Sequence, residues 1–232
     1  MHSTPSRIHR SKTPCARFRN SLWNENPEFS SLPGMSRHRE TEIKLEIRRP
    51  RVLRRRLGEL GFRAVQSRHF ESNALFDFPD LRLWKARCLL RLRRADKQWT
   101  LTFKGAPLRS RRYKIRKEIE MGIEDGCLLR EILEILGLRE AFRYEKYRTV
   151  YAQRVRGQKS PGPFLVCDET PIGNYLELEG PQDWIDQIAS QLGYRRKDYL
   201  TASYASLYRQ KCHERGEKPG NMVFPAPRAT RV

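Results

Sequence analysis

The sequence predicts an α+β domain built on a largely antiparallel sheet. Some eight segments alternate apolar and polar residues at the period of two that marks a strand with one face buried. Several are joined by short polar links, such as Ala95-Asp96-Lys97, that suit hairpins. Helical stretches are inserted among them and bounded by Pro and Gly. The strand number would permit the sheet to close into a barrel.

The first patterned strand is Glu40-Thr41-Glu42-Ile43-Lys44-Leu45-Glu46. Pro50 then opens a helix with Val52, Leu53, Leu57 and Leu60 at helical spacing, stopped by Gly61. Strands are expected at about 62–70, 74–78, 88–94, 98–104 and 112–121. Leu128, Leu129, Ile132, Leu133, Ile135 and Leu136 form an apolar stripe that reads as a core helix closed by Gly137. Further strands are expected at about 141–152, 163–170 and 174–179. Pro181 opens a helix carrying Trp184, Ile185, Ile188, Ala189 and Leu192, and a last helix covers about 199–212.

A chain of 232 residues with 38% hydrophobic content can bury one sizeable core. Residues 1–37 carry no sustained period and read as a disordered basic leader, with Met35 as an alternative start; residues from about 210 to 232 read as a flexible basic tail. No apolar run of membrane-spanning length and no secretory core is present, so the expectation is a cytoplasmic protein with no membrane partner. Cysteines at 15, 88, 127, 167 and 212 are scattered and never spaced as Cys-x-x-Cys, which argues against disulfides and structural zinc. His69 reads as a packed or exposed imidazole. The net charge of +20 predicts attraction to polyanions without saying which; nucleic acid could engage the basic tails but is not favoured.

Chemistry enters when each strand is read at period two. Glu40, Glu42, Lys44 and Glu46 share one face. Arg91 and Arg93 share another, as do Thr100, Thr102 and Lys104; Lys114, Arg116, Glu118 and Glu120; Lys146 and Arg148; Glu177 and Glu179. A sheet with one face in water would also carry charge. Here, however, carboxylate pairs and cationic pairs fall on separate strands, and a closed sheet would turn them inward, where they would need water, metal or a highly charged ligand. Arginine forks and lysine point charges suit phosphate oxygens, and an all-carboxylate oxygen site suits Mg²⁺ or Mn²⁺ better than zinc.

In order along the chain, Glu40-Thr41-Glu42-Ile43-Lys44, Leu90-Arg91-Leu92-Arg93, Thr100-Leu101-Thr102-Phe103-Lys104-Gly105, Lys146-Tyr147-Arg148, Asp168-Glu169-Thr170-Pro171-Ile172-Gly173 and Leu176-Glu177-Leu178-Glu179-Gly180 resemble the signature of the CYTH superfamily, the triphosphate tunnel metalloenzymes. The resemblance covers residues 38–209. It implies an eight-stranded antiparallel closed β-barrel with helices packed around it. It further implies Glu40, Glu42 and Lys44 as catalytic; Lys44, Arg91, Arg93, Lys104, Arg116, Lys146 and Arg148 as phosphate-binding; and Glu40, Glu42, Glu118, Glu120, Asp168, Glu177 and Glu179 as metal-binding. Asp168 has a second reading as the cap of the turn that follows it. Arg195-Arg196-Lys197 reads as a solvated charge run or as a closure of the tunnel mouth, and Glu46 as a rim charge.

The reaction expected is Mg²⁺- or Mn²⁺-dependent hydrolysis of an inorganic or organic triphosphate by a monomer or homodimer. The alternatives are a class IV adenylate cyclase and a non-catalytic polyphosphate- or nucleic-acid-binding module.

Overall fold

The structure is a computed structural model and describes residues 35–110, 112–153 and 163–225. Residues 1–34 of the leader, including Cys15, and residues 226–232 of the tail lie outside the described residues. The elements run β1 (Met35–Glu46), α1 (Pro50–Glu59), β2 (Phe62–Asp77), α2 (Arg82–Lys85), β3 (Leu89–Ala95), β4 (Gln98–Lys104), β5 (Lys114–Ile123), α3 (Gly126–Ile135), β6 (Arg139–Gln153), β7 (Phe164–Thr170), β8 (Gly173–Glu179), α4 (Gln182–Gln191) and α5 (Tyr204–Glu214).

All eight strands pair antiparallel in the closed order β1-β5-β4-β3-β2-β6-β7-β8. Alternation along each strand then gives the barrel two unlike surfaces. The apolar residues point outward: Ile43, Leu45, Leu165, Leu176 and Leu178 pack under Leu53 and Leu57 of α1 and Ile185, Ile188 and Ala189 of α4. A second cluster joins Ala74, Phe76 and Leu92 to Leu133 and Leu138, and a third joins Tyr144 and Tyr175 to Tyr204 and Leu207 of α5. Most of the hydrophobic core lies outside the barrel; Tyr144 and Tyr175 share the inward parity of Lys146 and Glu177, and the rest of the interior is mainly polar and charged.

The turns follow local chemistry. The β3–β4 hairpin has Asp96 at φ 51°. Gly61 and Gly137, at φ 81° and 90°, follow α1 and α3, where a side chain would be strained. Asp125 caps α3 by accepting hydrogen bonds from the backbone N–H groups of Cys127 and Leu128.

Five expectations need correction. β1 begins at Met35, inside the supposed leader, because residues 35–42 pair with β5 although they lack apolar alternation. The segments 62–70 and 74–78 form one strand, β2, because the polar residues between them stay extended, with Glu71 and Asn73 buried. Helix α3 is not a core helix throughout: Leu133 is buried, but Leu128, Ile132, Ile135 and Leu136 are exposed, Ile135 at 77%, because the apolar stripe is wider than the surface it covers. The expected helix at 199–212 begins only at Tyr204; before it, Leu200 is held extended by paired backbone hydrogen bonds with Lys44, and Ser203 supplies the N-cap. Finally, the tail is anchored past Gly220. Met222 is buried and exchanges backbone hydrogen bonds with Arg143 and Glu145, so residues 221–224 run along β6 before its pairing with β7 begins.

Candidate active site

The strand register brings the predicted charged faces of six strands, β1, β3, β4, β5, β6 and β8, to one cavity of about 920 Å³ inside the barrel. Nine cationic and six carboxylate side chains line it, an excess of positive charge. Glu40, Glu42, Lys44, Arg91, Arg93, Lys104, Arg116, Glu118, Glu120, Lys146, Arg148, Glu177 and Glu179 are all on its wall. Asp168 is not.

One side is rich in carboxylates from β1, β5 and β8. Glu42 stands opposite Glu179 across the β1–β8 pair and opposite Lys114 across the β1–β5 pair. Lys114 Nζ donates to Glu42 Oε1 at 2.6 Å, and Lys104 Nζ lies between Glu40 and Glu118, 2.7 and 2.8 Å from their oxygens. Lys44 Nζ is 3.1 Å from Glu42 and 2.9 Å from Glu177.

These pairings set protonation. Burial opposes ionisation of Glu42, but Lys114 and Lys44 outweigh it and hold its carboxyl well below the ordinary range. Glu40 shifts the other way through burial and the charge of Glu42. Burial, followed by the charge of Glu40, pushes Glu179 up to about 8. Burial lowers Lys114.

The opposite side is cationic. Arg91 Nη2 donates to Thr102 Oγ1 at 3.0 Å, and that hydroxyl donates to Glu120 at 2.9 Å. Arg93 Nε donates to Asn73 Oδ1 at 3.0 Å. Lys146 and Arg148 converge on Asp168, at 2.9 and 2.7 Å, and Arg148 Nη2 also reaches Glu177 at 2.7 Å. Among the described residues, the Nε groups of Arg91 and Arg116 and the Nδ2 of Asn73 are buried without a hydrogen-bond partner. Such donors are costly unless an acceptor meets them.

Asp168 is buried behind Lys146 and Arg148. Nor does it cap the turn that follows β7; Thr170 does, donating to Gly173 O at 2.6 Å. His69 is a packed imidazole beside Glu71. Arg195, Arg196 and Lys197 are exposed, Arg196 paired with Asp186, so they form the solvated run. Glu46 is exposed, 3.8 Å from Lys211.

Several residues in or beside the cavity escaped sequence reasoning. Lys114 was visible in the alternation of its strand but had no assigned role. Glu71 and Asn73, which are buried against Lys146 and Arg93 but do not line the cavity, fell between two expected strands, although their spacing of two was a usable signal. Tyr144 shares the parity of Lys146 and Arg148 and was visible in that alternation, whereas Tyr204 gave no signal, since only the docking of α5 brings it to the cavity.

Among the described residues no three His, Cys, Asp or Glu side chains converge as a ready metal cage, because lysines stand between the acids. The chemistry of the donor set still fits a hard divalent cation, because Glu40, Glu42, Glu118 and Glu179 offer only carboxylate oxygens.

The family model described as the CYTH domain matches residues 38–204. The chain belongs to the CYTH family. Among curated proteins, "Putative adenylate cyclase MJ0240" of Methanocaldococcus jannaschii is 31% identical to it over 140 residues, 60% of this chain and 75% of the relative. The solved structure of PH1819 from Pyrococcus horikoshii superposes with a TM-score of 0.60 at 23% identity, covering 74% of this chain and 99% of that one. HpAC1 from Hippeastrum, named for adenylyl cyclase and described as revealing a dominant triphosphatase activity, superposes with a TM-score of 0.51 at 19% identity, over 78% of this chain and 97% of that one. These two likenesses establish the shared CYTH fold. No helix among the described residues is long and apolar enough to cross a membrane.

Proposed function

We propose that this CYTH protein is a divalent-metal-dependent phosphohydrolase that cleaves inorganic or organic triphosphates. The observation that carries the reading is a single cavity lined by nine cationic and six carboxylate side chains, Arg91, Arg93, Lys146 and Arg148 among the first and Glu40, Glu42, Glu118 and Glu179 among the second. A triphosphate, with roughly four negative charges near neutral pH, meets both needs of such a site: its oxygens satisfy the arginine and lysine donors, and its metal satisfies the carboxylates.

Glu40, Glu42, Glu118 and Glu179 would hold Mg²⁺ or Mn²⁺, and the metal would neutralise charge on the phosphate oxygens. Lys104 and Lys114 now occupy oxygens of Glu40 and Glu42, so with a cation held there their ammonium groups would be available to phosphate oxygens. Arg91, Arg93, Lys146 and Arg148 fix the chain of phosphates and offset the charge that develops on it. A water oriented by a carboxylate attacks the terminal phosphorus, the bond to the bridging oxygen breaks, and orthophosphate leaves; from tripolyphosphate the other product is pyrophosphate.

The name of the Methanocaldococcus relative favours a second reading, adenylate cyclisation, in which ribose O3′ attacks the α-phosphorus of ATP and pyrophosphate leaves. Incubation of the purified protein with tripolyphosphate, thiamine triphosphate or ATP, each with Mg²⁺ or Mn²⁺, separates the two. Orthophosphate from at least one substrate supports hydrolysis; cyclic AMP and pyrophosphate without orthophosphate overturns it.

A further inference from the structure

Behind the cationic wall lies a group whose position is at odds with a metal-binding role. Asp168 is fully buried and accepts four hydrogen bonds: Arg148 Nε on Oδ1, and Arg148 Nη2, Lys146 Nζ and Tyr204 Oη on Oδ2. A carboxylate has about four lone-pair sites, and here three donors crowd Oδ2 and one meets Oδ1, all four from side chains that line the cavity. The side chains it holds, Lys146, Arg148 and Tyr204, line the cavity; Asp168 itself does not.

We propose that Asp168 is a positioning residue of the phosphate clamp, tied through Tyr204 to helix α5, and that it takes no part in binding the divalent cation. The inference rests on the triphosphatase reading above and deepens it.

One carboxylate aligns two cations from the same strand. Arg148 meets it as a fork, through Nε and Nη2, both at 2.7 Å, which fixes the guanidinium plane as well as its distance. Lys146 has no such planar geometry, and its ammonium is held by Asp168 at 2.9 Å with Glu71 at 3.4 Å. Asp168 thus holds both cations in place, while Arg148 also reaches Glu177 and Lys146 also reaches Glu71.

The third partner comes from outside the barrel. Tyr204 is the first residue of α5, and its hydroxyl donates to Asp168 Oδ2 at 2.7 Å. Its ring lies 5.3 Å from Lys44 Nζ and 5.4 Å from Lys146 Nζ, within range of a cation–π contact with each. The ring packs on Tyr144 and Tyr175. The docking of α5 and the geometry of the clamp are thus set by one side chain, so removing its hydroxyl should loosen phosphate binding while leaving the carboxylate wall untouched.

The test separates phosphate from metal. Wild type, Tyr204→Phe and Asp168→Asn are titrated with tripolyphosphate in excess chelator by calorimetry, and their turnover is measured against tripolyphosphate and against Mg²⁺ in separate series. Tyr204→Phe should weaken tripolyphosphate binding and raise KM by about tenfold, the scale of one charge-assisted hydrogen bond, and Asp168→Asn should do so by more. The half-saturating Mg²⁺ concentration should stay unchanged in both. A metal midpoint that moves as far as KM, or unaltered tripolyphosphate affinity in Tyr204→Phe, overturns the positioning role. Should Asp168→Asn not fold, Tyr204→Phe decides alone, since it keeps the ring and its packing. If wild type neither binds nor hydrolyses any triphosphate, the functional reading fails and this inference with it; if wild type binds and the variants bind equally, only the positioning role fails.

Discussion

Glu42 stands directly opposite Glu179 across the β1–β8 pair, two carboxylates at one register position inside the barrel. Like charges so placed destabilise a sheet, and Lys114 and Lys44 offset this for Glu42 by lying 2.6 and 3.1 Å from its Oε1. The arrangement is reasonable for a site that receives a cation from solution.

Glu42→Gln keeps the size and shape of the side chain but removes its charge. We expect it to abolish Mg²⁺- or Mn²⁺-dependent turnover while the circular dichroism spectrum and melting profile stay those of a folded barrel. Unchanged activity in this variant would remove Glu42 from the metal site.

The pH dependence of stability should expose Glu179. Its carboxyl is pushed up to about 8 by burial and then by Glu40, against an ordinary 4.5, so its ionised form is disfavoured in the folded protein. The penalty is absent below about 4.5, grows as pH rises toward 8, and levels off above. Without divalent metal, Glu179→Gln should therefore melt higher than wild type at pH 9 and at the same temperature near pH 4. A difference that is constant across this range would show that burial and Glu40 do not act on the carboxyl in this way.

Helix α3 predicts opposite outcomes from two similar residues. Leu133→Ala should cost about 2–5 kcal/mol in denaturant unfolding, since Leu133 packs with Ala74, Phe76 and Leu92. Ile135→Gln should change stability by no more than about 0.5 kcal/mol, because its side chain is exposed. Equal losses would mean that Ile135 is covered.

Met222 tests the carboxyl-terminal segment. Buried with Tyr144, Ile172 and Tyr204, it should cost about 2–5 kcal/mol when changed to Ala. A variant as stable as wild type would return residues 221–224 to the status of a loose tail.

Thiol reactivity offers a chemical check on the outer layers. Burial, with Asp168 adding to it, pushes Cys167 up to about 12, so at pH 8 it remains a protonated thiol, whereas Cys127 is exposed at the start of α3. A disulfide reagent on the native protein should label Cys127 well before Cys167, read by mass spectrometry of the peptides. Equal rates would contradict the packing of β7.

Much of the cavity was legible before the fold, because a strand's side chains alternate by geometry alone. Glu40 with Glu42, Arg91 with Arg93, and Glu177 with Glu179 had to share faces wherever those strands lay. The same rule located the outward apolar residues, Ile43 and Leu45 among them. It could not say which face turned inward: alternation constrains parity, and only closure of the β1-β5-β4-β3-β2-β6-β7-β8 ring turned the charged face into a wall.

What needed tertiary structure needed it for the same reason. Glu71 and Asn73 fell between two expected strands, and only the pairing of β2 with β3 and β6 shows one strand running through them. The stripe on α3 had the right period, yet periodicity does not measure how wide a surface will cover a helix. Asp168 carried a motif but no address, and its place behind Lys146, Arg148 and Tyr204 follows from β6, β7 and α5 meeting. The sequence by itself determined an antiparallel α+β chain and the parity of its charged residues, because both follow from local backbone geometry. Only the tertiary structure decided which charges share one cavity and which stand behind it, since long-range pairing and helix docking are set by contacts between residues far apart in the chain.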